Sequence, residues 1–279
     1  MDAKRGRTLG VVSIKGGVGK TTVVANLGAS LASHYGKSVL VVDTNVRAPN
    51  LGVHLDLMYP QASLYDVLAG DAEISEAIYP HPTGMHVIPS PFGFGEASSR
   101  GLARDLRSIA WHYDFVILDS TPFAGEDLLS TVEASDELII VTTLDMPSIS
   151  TVIKLMDLSR RRDTKILGIV ANRVRRKNFE LDPEIIKTIT GLDIIVRIPE
   201  DQRVLEAVSI RKPVVAYAPH SRSGQEFRRL AAILSGMEYR GSRISFVHRM
   251  FYVGKLDRAR EHDIRERINV LEGALRQTP

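Results

Sequence analysis

No cysteine occurs in the 279 residues of this chain. That single absence removes disulfides, Cys-based zinc sites and cysteine-ligated iron–sulfur clusters together. No apolar run approaches the roughly 18 residues that a membrane-spanning helix needs, and Met1-Asp2-Ala3-Lys4-Arg5 leads into no apolar signal core. The expectation is a cytoplasmic protein, with peripheral membrane contact left open. Internal repeats and low-complexity stretches are missing, and the eight histidines are scattered without metal-ligand spacing. Excess charge is nearly missing too: 36 Lys and Arg against 33 Asp and Glu leave a net +3, too little to argue for nucleic acid by itself. What imbalance there is lies at the end, where Arg240 to Pro279 holds nine Lys/Arg and five acids.

The chain is long enough for one large α/β domain, with 44% hydrophobic and 25% charged residues. Short apolar runs recur, each followed by a segment of helical periodicity. That alternation predicts a parallel sheet covered on both faces, a doubly wound three-layer sandwich. Strands are expected at 9–14, 39–43, 85–89, 115–119, 138–142, 166–172, 194–198 and 214–217. Helices are expected at about 21–34, 98–110, 126–133, 148–162, 183–189, 203–209 and 223–235. Residues 44–61 and 91–99 read as irregular, and the alternation stops after Gly236. Hence residues 1–236 are assigned to one domain and 237–279 to a basic amphipathic tail.

Lys15-Gly16-Gly17-Val18-Gly19-Lys20-Thr21-Thr22 follows an apolar strand and precedes a helix, the context a phosphate-binding loop requires. Glycines let the backbone curl with its N–H groups inward, and the helix beginning near Thr21 adds its positive end. Lys20 would reach the β- and γ-phosphates of a nucleotide, and Thr21 would ligate Mg²⁺. The strict pattern asks for glycine where Ile14 stands, so the generic motif is imperfect. Phe115-Val116-Ile117-Leu118-Asp119 then puts a carboxylate at a strand's carboxyl edge, followed by Ser120-Thr121-Pro122. In order after the loop, Asp119 reads as the Walker B acid holding a water on the metal.

The second lysine, Lys15, fits the deviant Walker A form residue for residue, and here the chain resembles the ParA/MinD family of ATPases over about residues 8–236. The resemblance implies the SIMIBI class of P-loop NTPase, ATP or ADP with Mg²⁺ as cofactors, a homodimer in the ATP state and a regulatory protein partner. It gives Lys15 a role across the dimer interface, on the partner's nucleotide. Asp43 takes the switch I place, where a carboxylate approaches Mg²⁺ through water. Two residues on, the family usually carries aspartate, and this chain has Asn45; Asp-x-Asn resembles archaeal MinD-like members. An amide orients water but accepts no proton, so slow or partner-dependent hydrolysis is expected. By the same resemblance Asn172 bonds the adenine, with Arg173 beside it, and Pro199, Glu200 and Asp201 line the base.

In the tail, residues 244–256 combine large apolar side chains with Arg249 and Lys255, the composition of a MinD-type membrane anchor. Their apolar residues scatter around the helical wheel, however, and fit packing on the sheet or a partner better. Ile264, Ile268, Leu271 and Leu275 form a short heptad-like stripe suited to docking on the domain or its dimer mate. A membrane surface is thus one candidate target of the tail and nonspecific DNA a weaker one. The implied activity is an ATP-dependent dimerising switch for positioning a large assembly, such as a division site or a chromosome. A carboxylate-activating ligase of the same superfamily, of the dethiobiotin-synthetase or cobyrinate-amidase type, is the competing class, and Lys15 argues against it. A third class, metallocluster carriers or reductases resembling the nitrogenase iron protein, needs cysteines to bridge its cluster and falls with their absence.

Overall fold

A computed structural model describes residues 6–90, 99 and 101–239. The chain alternates as expected: β1 (Arg7–Val12), α1 (Lys20–Tyr35), β2 (Val39–Asp43), α2 (Leu51–His54), α3 (Leu64–Ala69), β3 (Tyr79–Pro80) and β4 (His86–Ile88). Then come α4 (Leu102–Ile109), β5 (Phe115–Asp119), α5 (Glu126–Ala134), β6 (Glu137–Thr142), α6 (Met146–Arg161) and β7 (Lys165–Val174). The described chain closes with α7 (Pro183–Thr190), β8 (Ile194–Pro199), α8 (Gln202–Ser209), α9 (Val214–Tyr217) and α10 (Arg222–Ser235).

The eight strands form one sheet in the order β3-β4-β2-β5-β1-β6-β7-β8. Every pairing is parallel except β3 with β4. Successive side chains of a strand point to opposite faces. Thus Val39 and Val41 enter the core under α1 and α10, with Leu27 and Phe227, while Leu40 and Val42 join Leu102 and Leu106 on the other side. A third cluster, around Ile140, Val152 and Ile169, covers that second face beneath α6 and α7. Both faces are therefore buried, and the doubly wound sandwich is present.

Several element bounds differ from those read off the sequence. Residues 214–217 form a helical turn, α9, not a strand: the Tyr217 N–H donates to the Pro213 carbonyl at 3.0 Å, and Val215 N–H donates to the side chain of Asn26 at 3.1 Å. Buried apolar residues drove the strand expectation, but their main-chain groups are satisfied locally. The first strand ends at Val12, leaving Ser13 and Ile14 to the phosphate loop, and the helix expected from 98 starts at Leu102. The span 44–61 contains α2, and α3 and β3 follow it unforeseen. Most of 91–99, and the tail from 240 with its anchor and stripe, lie outside the described residues.

Candidate functional site

Parallel order brings the carboxyl ends of β1, β2, β5 and β6 together, the edge where open α/β sheets hold ligands. After β1 the chain turns through Gly17 and Gly19, at φ 75° and 92°, a region L side chains rarely adopt. Gly19 is the N-cap of α1 and supplies no side-chain cap, so the first N–H groups of the helix stay available to an anion. A Cβ on Gly19 would also lie 2.4 Å from the Asn172 amide nitrogen. That amide donates to the Val18 carbonyl at 2.7 Å. Asn172 thus braces the loop from β7.

Lys20 is buried at the foot of this turn, and its ammonium is held below its ordinary pKa by burial, against the pull of Asp119. Asp43 and Asp119 are register partners at the ends of β2 and β5. Both are fully buried, and burial raises both carboxyls above the usual range; for Asp43 the charge of Asp119 adds to the rise. Three main-chain N–H groups oppose it at Asp43: those of Asn45 (3.1 Å), Asn50 (3.1 Å) and Leu51 (3.0 Å). The Asp43 carboxylate therefore shapes the switch loop around itself. Asp119 is relieved by the Thr21 hydroxyl and by Lys20.

One oxygen of Asp119, Oδ1, is buried without a hydrogen-bond partner among the described residues, beside Thr21. An orphaned carboxylate oxygen next to a hydroxyl and a second carboxylate fits a hard cation. No cluster of three or more His, Cys, Asp or Glu able to hold a metal exists among the described residues. Such a sparse set suits Mg²⁺, which leans on substrate phosphates and one or two carboxylates. Asn45 spends its amide N–H on the Ala48 carbonyl at 2.5 Å and leaves its Oδ1 buried and unpaired. That oxygen can accept a hydrogen bond from water and cannot take its proton.

Lys15 does not point into empty space. Its ammonium lies 3.2 Å from each carboxylate oxygen of Asp145 and 2.7 Å from the Ser148 hydroxyl. Burial pushes Asp145 up, but the Thr143 and Ser148 hydroxyls, the Ser148 N–H and Lys15 outweigh it and hold the carboxyl at about 2. The lysine remains partly exposed and lines a cavity of about 340 Å³ with Gly16, Gly17, Val18 and Arg173. Asp145, three residues beyond the strand-final Thr142, is the N-cap of α6. Sequence reasoning passed over it, although an Asp followed by Met-Pro at the end of a central strand is a visible helix-start signal.

The stretch expected to line the base, Pro199–Asp201, closes β8 and opens α8. Glu200 N–H donates to the Val174 carbonyl at 3.0 Å, which joins the loop to the β7 end near Arg173. Glu200 itself pairs with Arg175 at 2.7 Å. The Asp201 carboxylate is fully occupied: it caps α8 through Arg203 N–H and accepts from the Ser223 N–H and hydroxyl. Two further contacts bind the switch loop to its surroundings. Arg47 pairs with the buried Asp127 of α5 at 3.2 Å, and His54 reaches Thr22 at 3.5 Å.

Comparison with known proteins agrees with this geometry. A family profile described as an AAA domain matches residues 6–166. An uncharacterized ATP-binding protein of Methanocaldococcus jannaschii is 35% identical over 83% of this chain and 88% of its own. The structure of the cell division ATPase MinD of Pyrococcus furiosus superposes with a TM-score of 0.78 at 30% identity, covering 83% of this chain and 99% of that one. The septum site-determining protein MinD of Pyrococcus horikoshii, solved with Mg-ADP, gives 0.78 and 30% over 85% and 99%. With a deviant phosphate loop, two buried carboxylates at adjoining strand ends and this sheet order, the chain belongs to the ParA/MinD family of P-loop nucleotide-binding proteins.

Proposed function

We propose that this protein is a slow ATPase whose ATP state dimerises face to face and thereby acts as a positioning switch. The observation that supports it most is the placement of Lys15. Lys20 already serves the phosphate loop from within, so a second lysine on the open side of the loop has no task in its own site. It is held instead by the Asp145–Ser148 corner, through contacts that a phosphate group on a second protomer can replace.

The sequence of events follows from the side chains. Loop N–H groups and Lys20 bind the phosphates; Thr21, Asp43 and Asp119 are the residues that would hold Mg²⁺. The metal would supply charge neutralisation at the terminal phosphates. Asn45 turns a water toward the terminal phosphate without deprotonating it, and phosphoryl transfer then proceeds on positioning and charge stabilisation alone. Turnover is accordingly slow. A regulatory protein supplies what the amide lacks, or tightens the loop that Arg47 and His54 anchor.

No helix among the described residues is long and apolar enough to cross a membrane. Removal of 240–279 should leave nucleotide binding intact while changing liposome co-sedimentation or oligomeric state. The main reading is tested by sedimentation velocity with ADP, ATP and a non-hydrolysable ATP analogue. Dimers with the last two and monomers with ADP support it; one mass in all three conditions rejects it.

A further inference from the structure

Away from the phosphate loop, the free edge of the sheet carries a second concave surface. β8 is last in the strand order, so one row of its main-chain groups has no strand neighbour among the described residues. Two cavities lie along it. One, of about 670 Å³, sits over the carboxyl end of β8, between the loop after β7 and the first turn of α10. The other, of about 560 Å³, follows Ile194–Arg197 between α7 and α10. They share Arg176, Arg197 and Glu226 and so form one continuous groove.

Its charge is polarised. The larger cavity gathers Arg175, Arg176, Lys177, Arg197 and Arg222 against only Glu200 and Glu226. Arg175 is taken by Glu200. Arg176, Lys177, Arg197 and Arg222 are exposed and make no ion pair among the described residues. Arg176 also has φ 56°, a left-handed backbone that costs a non-glycine residue free energy and persists where surroundings impose it. At the other end the charges cancel: Lys187 pairs with Asp193 at 2.7 Å, and Asp182 caps α7.

We infer that this groove docks an extended acidic peptide of a partner protein, which adds a strand along β8 and lays its carboxylates among the arginines. An unpaired edge offers main-chain affinity, and flanking side chains give specificity. Guanidinium forks match carboxylates in paired hydrogen bonds. Pro199 has no N–H, so the added strand runs beside Ile194–Ile198. Duplex DNA fits less well. It is too wide for a groove between two helices and gains nothing from strand groups. The chain's own tail is no match either, because residues 240–279 hold nine basic residues against five acidic ones. The inference rests on the sheet edge alone and does not depend on the ATP switch.

Fluorescence anisotropy tests it on the full-length protein, with a labelled peptide of about eight alternating Glu and Val residues, the length of an ordinary strand. Saturable binding is expected. It should weaken about tenfold or more in the Arg197→Glu/Arg222→Glu double variant, in a Gln-for-Glu peptide, and in a peptide N-methylated at alternate amides. Hydrogen exchange should slow, when the peptide binds, at those alternate amides of Ile194–Ile198 that do not face β7. Absence of saturable binding at millimolar peptide overturns the proposal. So does equal binding of the N-methylated peptide, which would mean charge contact without strand addition. Expulsion of the peptide by short duplex DNA, with the same dependence on Arg197 and Arg222, would reassign the groove to nucleic acid.

Discussion

Two aspartates stand at carboxyl ends of the same sheet and behave in opposite ways. Asp43, the last residue of β2, is wholly buried beside Asp119, and burial raises its carboxyl despite three N–H donors. Asp145, beyond β6, is partly exposed, collects two hydroxyls, an N–H and the Lys15 ammonium, and stays at about 2. The first corner is poised to lose its charge unless a cation arrives. The second is anionic at neutral pH and already holds Lys15. Residue type and sheet edge are shared; what differs is the number of donors and the access of water. The nucleotide chemistry is therefore read from the Asp43–Asp119–Lys20 corner, and the proposed dimer switch is argued from the Asp145–Lys15 corner.

The sharpest way to separate the two corners is to remove one lysine at a time. Lys20→Ala takes a buried charge from the phosphate cradle, and truncations of that kind cost about 2–5 kcal/mol. ATP affinity measured by calorimetry should fall on the order of 10²-fold or more. Lys15→Ala should leave monomer affinity within a few fold, since its ammonium is committed to Asp145 and Ser148 and not to the loop. Equal losses would erase the distinction.

A middle-sized effect belongs to Asn45. A positioned acid or base contributes roughly 10²–10⁴-fold, so Asn45→Asp should raise basal phosphate release by up to about 10²-fold, and Asn45→Ala should lower it. The aspartate loses the donor to the Ala48 carbonyl, and a melting curve checks that the loop survives. A slower Asn45→Asp enzyme would place the catalytic group elsewhere.

The smallest effect is at Asp145. Asp145→Asn keeps an acceptor for the Ser148 N–H that caps α6 and removes the charge holding Lys15. A part-exposed ion pair is worth at most about 1 kcal/mol. With two such pairs per dimer, ATP-dependent dimerisation should tighten by no more than about thirtyfold, and ADP-bound protein should remain monomeric. Weaker dimerisation would show that Asp145 serves the dimer and not the monomer.

The sequence made the first corner legible and the second only in half. β2 and β5 end on Asp43 and Asp119 as read, because continuous apolar runs broken by a carboxylate leave little latitude. Lys15 was visible as a motif, but its partner lies 130 residues away and meets it only because β6 pairs beside β1. Asp201 carries a task that its place in Ile-Pro-Glu-Asp did not show: the fold uses its carboxylate to cap α8 and tether α10. Residues 214–217 read as a strand for want of any signal that Asn26 would take the Val215 N–H. Long-range pairing, not local composition, decided each of these.

The central claim is that Lys15 works on the other protomer, and subunit mixing measures it most directly. Lys15→Ala lacks the lysine and Asp119→Ala lacks the buried carboxylate, so each variant alone should show no ATP turnover. In a mixed dimer, confirmed by native mass spectrometry, the Lys15→Ala protomer keeps its own Asp119 and receives Lys15 from its partner. Turnover should then reappear at one site per dimer. Mixed dimers that form and remain inactive would contradict the account and return Lys15 to its own chain.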